Sequence, residues 1–372
     1  MGSQEVFELK ISFPLFLGSS LLCVGIEDRR ALSIHVCALK CQVCRTKTET
    51  LLQKLSEEEK KRYVSIISPR YEKYPLNPTF CRTAITLAAR VEKALQNGSI
   101  PSLMDVEATG GVWVIKGEDE QPIAIFKPAD EEAGVKNAED RARKGIEPGE
   151  GAVREHVVSY LSNLSGLAAP VATMVSITHD VFEGTKTGSL QEYVVHENAS
   201  WDMGPGKFAV DDVQRIGLSD LRFLNTDRHG GNMVVTSEGT LVPIDHAYCL
   251  PGGQPGKSSD DVWVEWLTWP QAKAPLSEVL KKNVLEYDIE SNSAFLRESG
   301  ISESAVKNFI IVNTILKVAV QRDIDNLKEL AMLCCRTDPK VPCLYERIAE
   351  RLSEEEELNV NIKAVVEEMM AM

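Results

Sequence analysis

The 372-residue chain lacks a membrane-length apolar run and has no excess of basic residues. Its apolar stretch at 11–26 is shorter than the roughly 20 residues of a membrane helix, and we expect two buried strands there. Acidic residues outnumber basic ones by 55 to 41, which gives a net charge of -14. This balance argues against nucleic acid as a partner and opposes strong attraction to anionic membranes.

The cysteines are scattered, and their number, nine, is odd. Cys37, Cys41 and Cys44 invite a zinc interpretation, but no second Cys or His pair follows at finger spacing. Free thiols in a reducing compartment fit better. We therefore expect a cytoplasmic protein, with peripheral attachment to a membrane as an open alternative and an oligomeric state that the sequence does not reveal.

The segment 224–232 reads LNTDRHGGN, and Asp245 follows in an apolar setting. Phosphoryl transfer needs an Asp that orients and deprotonates the acceptor hydroxyl, and an Asn and a second Asp that hold metal ions. Asp227, Asn232 and Asp245 occur in that order. A hairpin of 233–235 and 241–244 would bring Asp245 back beside Asn232. The simpler alternative is that these polar residues only form turns.

Two upstream features strengthen the phosphoryl-transfer interpretation. Gly110 and Gly111 precede a predicted strand, where they would let the backbone approach phosphate. A second strand, 122–128, ends on Lys127, and Glu155 opens a helical pattern. The order of glycine loop, strand lysine, helix glutamate, catalytic loop and metal aspartate is the kinase plan. The simpler alternative for Lys127 and Glu155, taken singly, is that they are solvated surface residues.

At these residues the chain resembles the phosphatidylinositol 3-/4-kinase catalytic domain family, and in particular the type II-like gamma class of phosphatidylinositol 4-kinases. The resemblance runs over roughly residues 105 to 350 and leaves 1–100 unexplained. The strings that carry it are IFKPADEE at 125–132, GEGAVRE at 149–155, SLQEYV at 189–194, NTDRHGGN at 225–232 and PIDH at 243–246.

The resemblance implies an α+β, bilobal kinase-like fold with a β-rich N-lobe and a mainly helical C-lobe. It places the catalytic domain at 101–352, with the N-lobe at about 105–195 and the C-lobe at about 196–352. Residues 1–100 are then an N-terminal extension of unknown role, and 353–372 an acidic helical tail.

The resemblance also implies ATP and Mg²⁺ as ligands. Lys127 would contact the ATP phosphates, Glu155 would hold that lysine in place, and Arg228 would contact phosphate or pair with an acidic neighbour. His229 and His246 would shape their loops. The implied site consists of catalytic Asp227, Arg228 and His229, nucleotide-binding Gly110, Gly111, Lys127, Glu155, Gln191, Tyr193 and Val194, and metal-binding Asn232 and Asp245.

Four functions remain open at this point. The first is an ATP-dependent kinase acting on the inositol 4-hydroxyl of phosphatidylinositol, where position 4 comes only from the resemblance. The second is a protein Ser/Thr kinase of the same fold, which a weakly basic segment after Asp245 favours. The third is a module that binds ATP without turnover, and the fourth is a scaffold that is not a kinase.

Periodicity predicts helices at 81–96, 211–224, 275–285, 303–331 and 342–352. Pro75 and Pro78 are expected to break any helix before Cys81. Trp263, Trp266 and Trp269 are expected to pack in the C-lobe core, with contact to a bilayer as the alternative.

Overall fold

A computed structural model describes residues 37–38, 63–68, 77–104, 110–135, 145–254, 264–336, 340–354 and 361–371. Some of the segments discussed above lie outside these residues: the apolar stretch at 11–26, Cys41, Cys44, Trp263 and residues 355–360 of the acidic tail. Cys81, Cys249, Cys334, Cys335 and Cys343 are free thiols, as expected.

A seven-stranded sheet builds the N-terminal lobe. Its order is β1-β2-β6-β7-β5-β4-β3, and its pairs are antiparallel except β1 with β2. The strands are β1 Cys37–Ala38, β2 Tyr63–Ser68, β3 Ser102–Leu103, β4 Trp113–Lys116, β5 Pro122–Pro128, β6 Ala172–His179 and β7 Gly184–Glu192.

The central strand β5 has the bounds that its apolar run predicts. Ile123, Ala124 and Phe126 are buried in one cluster with Leu87 and Val91 of the helix that covers the sheet. That helix, α1, spans Pro78–Gln96. Since β2 pairs with β6, the sheet continues into the segment before residue 100.

Helix α1 begins three residues earlier than its periodicity predicts, and Pro78 starts the helix instead of breaking it. Asn77 is the N-cap, and its Oδ1 accepts a hydrogen bond from the backbone N–H of Phe80 at 3.0 Å. Proline suits the first helical position because its missing N–H would have no partner there. The prediction at Pro78 was therefore wrong.

Helix α2, Gly151–Leu164, follows the N-lobe strands β4 and β5 and carries Glu155. Helix α3, Val210–Phe223, leads into the 224–232 loop. Beyond that loop, β9 Met233–Val235 and β10 Leu241–Pro243 form the predicted hairpin, with Leu241 opposite Val235. The short strand β8, Asn198–Ala199, pairs with the free side of β9.

Helices form the C-terminal lobe. The predicted single helix at 303–331 is two helices, because the chain turns at 322–326 and Asp323 takes a left-handed conformation with φ of 62°. Trp266 and Trp269 are buried in the core of this lobe, as expected. The helices are α4 Glu278–Glu286, α5 Ile289–Glu298, α6 Glu303–Gln321, α7 Leu327–Cys334, α8 Leu344–Glu354 and α9 Ile362–Met369.

The described helices include none that combines the length and the apolar character needed to cross a bilayer.

The α1 cap gives a stability prediction. Asn77→Ala removes the acceptor for the Phe80 N–H, so we expect unfolding free energy to fall by about 1 kcal/mol. Ser302→Ala is the matched control, because Ser302 is the N-cap of α6 and makes no side-chain cap bond. Urea unfolding measures both, and equal losses in the two variants would contradict the assignment.

Candidate active site

The loop between α3 and β9 brings the predicted catalytic residues to one place. Leu224 ends α3 in a left-handed conformation, with φ of 49°. After the β9–β10 hairpin, the N–H of Ile244 donates to the carbonyl of Asn232 at 3.0 Å. This bond sets Asp245 beside Asn232, as the hairpin predicts. Asp245 itself has φ of 57°, a costly conformation that such sites often contain.

Asp227 and Asn232 contact each other across the loop. The Asn232 Nδ2 donates to the Asp227 carbonyl at 2.9 Å and approaches the Asp227 Oδ2 at 3.4 Å. Asn225 receives the Asp227 N–H on its Oδ1 at 2.8 Å. The backbone of Asp227 is therefore held on both sides, and the Asn232 amide lies next to its carboxylate.

Arg228 is fully buried and takes the second of its two predicted alternatives, pairing with an acidic neighbour. Its Nε lies 3.0 Å from both carboxylate oxygens of Asp220 on α3. Its Nη1 donates to the carbonyls of Asn232, at 2.5 Å, and Ile244, at 2.7 Å. One guanidinium thus ties α3, the loop and the residue before Asp245 together.

Asp220 was missed in the sequence analysis, and it accepts two further hydrogen bonds. The Trp266 Nε1 donates to its Oδ2 at 2.9 Å, and the Asn225 Nδ2 donates to its Oδ1 at 3.0 Å. A signal was present in the sequence. Asp220 falls on the apolar stripe of α3 with Val213 and Ile216, and an acid on such a stripe indicates a buried charge with a partner.

Lys127 lies between two carboxylates. Its Nζ is 2.5 Å from the Glu155 Oε1 and 3.1 Å from the Asp245 Oδ1. Burial alone would lower the pKa of Lys127, but the carboxylates of Asp245 and Glu155 raise it above its ordinary value. The lysine is therefore protonated at neutral pH. Its ion pairs connect strand β5 to helix α2 and to Asp245.

The second carboxylate oxygen of Glu155 binds His246, the residue after Asp245. The backbone N–H of His246 donates to the Glu155 Oε2 at 3.0 Å, and the His246 Nδ1 lies 3.5 Å from the same oxygen. Burial would raise the pKa of Glu155, but the charge of Lys127 and the His246 hydrogen bond hold it well below its usual range. His246 thus positions Glu155 as well as shaping its own loop.

Arg154, the neighbour of Glu155, fastens the segment that follows Asp245. It is fully buried, and its Nη1 donates to the carbonyls of Cys249, at 2.7 Å, and Leu250. No role for this arginine was apparent from the sequence. Helix α2 therefore holds the C-lobe segment 245–250 through two successive side chains.

His229 forms the outer part of the loop. Its Nδ1 accepts the N–H of Gly231 at 3.1 Å, so in the neutral ring the proton is on Nε2. The Nε2 lies 4.0 Å from the Asp227 Oδ2, which is too long for a direct hydrogen bond. A hydroxyl oxygen placed between them could accept from His229 and donate to Asp227.

Gly110 and Gly111 end the connection between β3 and β4, where residues 105–109 are outside the described ranges. They lie against Glu131. The Gly111 N–H donates to the Glu131 carbonyl at 3.0 Å, and a Cβ on Gly111 would come within 1.9 Å of the Glu131 Oε2. Only glycine fits this close approach. A contact with phosphate stays a prediction for this pair.

Gln191, Tyr193 and Val194 lie at the end of β7 and just beyond it, where the chain leaves the N-lobe sheet. Gln191 is buried, the Tyr193 N–H donates to the Ile123 carbonyl at 3.2 Å, and the Val194 carbonyl receives the His196 Nδ1 at 2.7 Å. Adenine binding at these residues remains a prediction from their place between the lobes.

Asn232 and Asp245 supply oxygen donors, the ligands that Mg²⁺ prefers. The Asp245 side chain is 38% exposed, so a ligand can reach it. Within the described ranges, no group of three or more His, Cys, Asp or Glu residues could hold a metal ion. The donor set suits an ion that shares its coordination with a nucleotide and water.

A family model for phosphatidylinositol 3- and 4-kinases matches residues 116–328, more than half of the chain. The matched range includes Lys127, Glu155, Asp227, Asn232 and Asp245. The chain belongs to the phosphatidylinositol 3- and 4-kinase family. Its strand-rich N-lobe and helical C-lobe agree with the bilobal, kinase-like α+β fold expected for a member.

Two relatives of this chain come from plants. "Phosphatidylinositol 4-kinase gamma 4" of Oryza sativa subsp. japonica is 31% identical over 310 residues, which are 74% of this chain and 54% of that protein. "Phosphatidylinositol 4-kinase gamma 8" of Arabidopsis thaliana is 33% identical over 271 residues, which are 64% of this chain and 50% of that protein. The chain thus spans about half the length of these relatives.

The Asp220–Arg228 pair gives a stability prediction. Asp220→Asn leaves the buried guanidinium without a counter-charge, so we expect a loss of roughly 3 kcal/mol or more. Asp211→Asn on the same helix breaks the exposed pair with Arg215 and should cost less than about 1 kcal/mol. Urea unfolding compares them, and similar losses would contradict a structural role for the buried pair.

The pKa of Glu155 gives a pH prediction. Because the native pKa lies below the unfolded value of about 4.3, stabilisation by the Glu155 charge is present above that pH and is lost as pH falls further. Lys127 does not contribute to this acid window, since its raised pKa matters only above about pH 10.

The stability difference between the native protein and Glu155→Gln should therefore be largest near neutral pH and should shrink below about pH 4. Chemical unfolding at several pH values measures it. A difference that stays constant over the whole range would show that Glu155 is not held ionised.

Proposed function

We propose that the protein is an ATP-dependent kinase that transfers the γ-phosphoryl group to the inositol 4-hydroxyl of phosphatidylinositol. The observation that carries the proposal is the convergence of Lys127, Glu155 and Asp245 in one ion-pair cluster, with Asp227 and Asn232 on the adjoining loop. The names of the relatives support phosphatidylinositol as acceptor and are the ground for ring position 4.

In this proposal Lys127 binds the ATP phosphates, and Glu155 keeps its Nζ aimed at them. The cluster leaves the lysine charged, which phosphate binding requires. Gly110 and Gly111 close over the phosphates, and the hinge of Gln191, Tyr193 and Val194 receives adenine. Lys127 then exchanges part of its contact with Asp245 for phosphate oxygens.

Asn232 and Asp245 would hold Mg²⁺, which would neutralise charge that develops on the phosphates. Asp227 orients the acceptor hydroxyl and takes its proton, and the Nε2 of His229 donates to the same oxygen. Arg228 acts through its contacts with Asn232 and Ile244 and has no phosphate contact of its own.

The acceptor lies in a bilayer, so the protein must act at a membrane surface at least transiently. We propose a cytoplasmic protein that binds membranes peripherally. Its net charge of -14 predicts that this binding does not depend on a general attraction to anionic lipid.

The test is transfer of labelled γ-phosphate from Mg-ATP, with phosphatidylinositol vesicles and a generic protein acceptor in parallel reactions. Label in lipid supports the proposal, and chromatography of the deacylated product reads the ring position. Label only in protein favours the Ser/Thr kinase alternative. Absence of label with an intact thermal shift by ATP favours a binding module without turnover.

Asp227→Asn should lower the transfer rate by about 10²- to 10⁴-fold, because an amide cannot take the proton. It should leave the thermal shift by ATP in place, since Asp227 faces the acceptor. Lys127→Met is the counterpart that should weaken the thermal shift. Activity retained in Asp227→Asn would contradict the role given to this residue.

A further inference from the structure

The indole of Trp201 lies on the outer side of the catalytic loop and is 62% exposed. It belongs to a short turn, Ser200–Asp202, that follows β8. One face stacks on the His229 ring, with centroids 5.7 Å apart and planes at 16°. In this exposure Trp201 differs from Trp266 and Trp269, which are buried in the core of the C-terminal lobe.

The loop is shaped to receive this indole. A Cβ on Gly231 would come within 2.5 Å of the Trp201 Cη2, and a Cβ on Gly230 within 2.9 Å of the Trp201 Cβ. The Ser200 Oγ donates to the Gly230 carbonyl at 3.0 Å and fastens the turn to the loop. The two glycines therefore allow the indole to lie flat against the loop.

This surface adjoins the place where an acceptor must sit. The His229 ring that stacks on Trp201 reaches to 4.0 Å from the Asp227 Oδ2. An acceptor hydroxyl bound between those two groups brings the rest of its molecule close to the stack. The aromatic edge beside that position is available to a ligand, because most of the indole is exposed to solvent.

The neighbouring charges favour hydroxyl groups over phosphate groups at this position. The carboxylate of Glu265 lies at Gly230, where a Cβ would be 2.9 Å from its Oε2, and Asp227 flanks the stack on the other side. Carboxylates repel phosphate groups but accept hydrogen bonds from hydroxyls. An aromatic face bordered by carboxylates suits a polyol ring, which offers C–H groups on its face and hydroxyls at its edge.

We propose that Trp201 is an acceptor-positioning residue, on whose indole the inositol ring of phosphatidylinositol rests while one hydroxyl reaches Asp227. This inference rests on the proposed function. It assigns the acceptor side of the site to Ser200–Asp202 and 229–231, and leaves ATP to the cluster around Lys127.

The test compares Trp201→Phe, which keeps an aromatic face, with Trp201→Leu, which keeps apolar bulk only. Kinetics with short-chain phosphatidylinositol below its micellar concentration remove any contribution from a bilayer. We expect Trp201→Leu to raise the KM for this lipid by about tenfold, with the KM for ATP within about twofold, and Trp201→Phe to recover most of the loss.

Each other outcome has a definite meaning. An unchanged lipid KM in Trp201→Leu, or equal losses in the Leu and Phe variants, overturns the inference while the proposed function stands. An increase confined to the KM for ATP also overturns the inference. So does an increase in the lipid KM that is seen with vesicles but not with monomeric lipid, because it would indicate bilayer insertion. A native protein that labels no lipid overturns the proposed function and this inference together.

Discussion

The carboxylate of Glu155 is the contact on which the arrangement of the site depends. One oxygen binds Lys127 of the N-lobe sheet, and the other binds His246, directly after Asp245. A single buried side chain thus connects the N-lobe sheet to the segment that follows Asp245. Arg154, its neighbour, holds the carbonyls of Cys249 and Leu250, so helix α2 cannot shift without moving the segment after Asp245.

A second buried ion pair organises the 224–232 loop. The Arg228–Asp220 pair connects α3 to the catalytic loop and, through the carbonyls of Asn232 and Ile244, to the hairpin that returns Asp245. Burial of such a pair costs desolvation, which the ion pair and the two further Arg228 hydrogen bonds offset. The neighbours of Arg228 in sequence, Asp227 and His229, keep 17% and 43% of their side chains exposed.

Much of the fold and of the candidate site could be predicted from the sequence alone. Strand β5 and the β9–β10 hairpin have strong local patterns, and the structure has them where the patterns indicate. The candidate site residues could also be predicted from their order along the sequence, which is Lys127, Glu155, Asp227, Asn232 and Asp245. The partner of Arg228 was not predictable in the same way, because Asp220 is eight residues away and in a helix, and only the fold brings the two together. The break between α6 and α7 contains neither Gly nor Pro, so no local signal marked it.

The measurement that tests this account most directly is the affinity for Mg-ATP of Glu155→Gln against Glu147→Gln, an exposed acid just before α2. Glu155 contacts the lysine and His246 and would touch no phosphate itself. If it holds the two lobes in register, calorimetry should show at least a tenfold loss of affinity in Glu155→Gln and none in Glu147→Gln. Equal affinities in the two variants would mean that the nucleotide site assembles without Glu155, and would contradict the account.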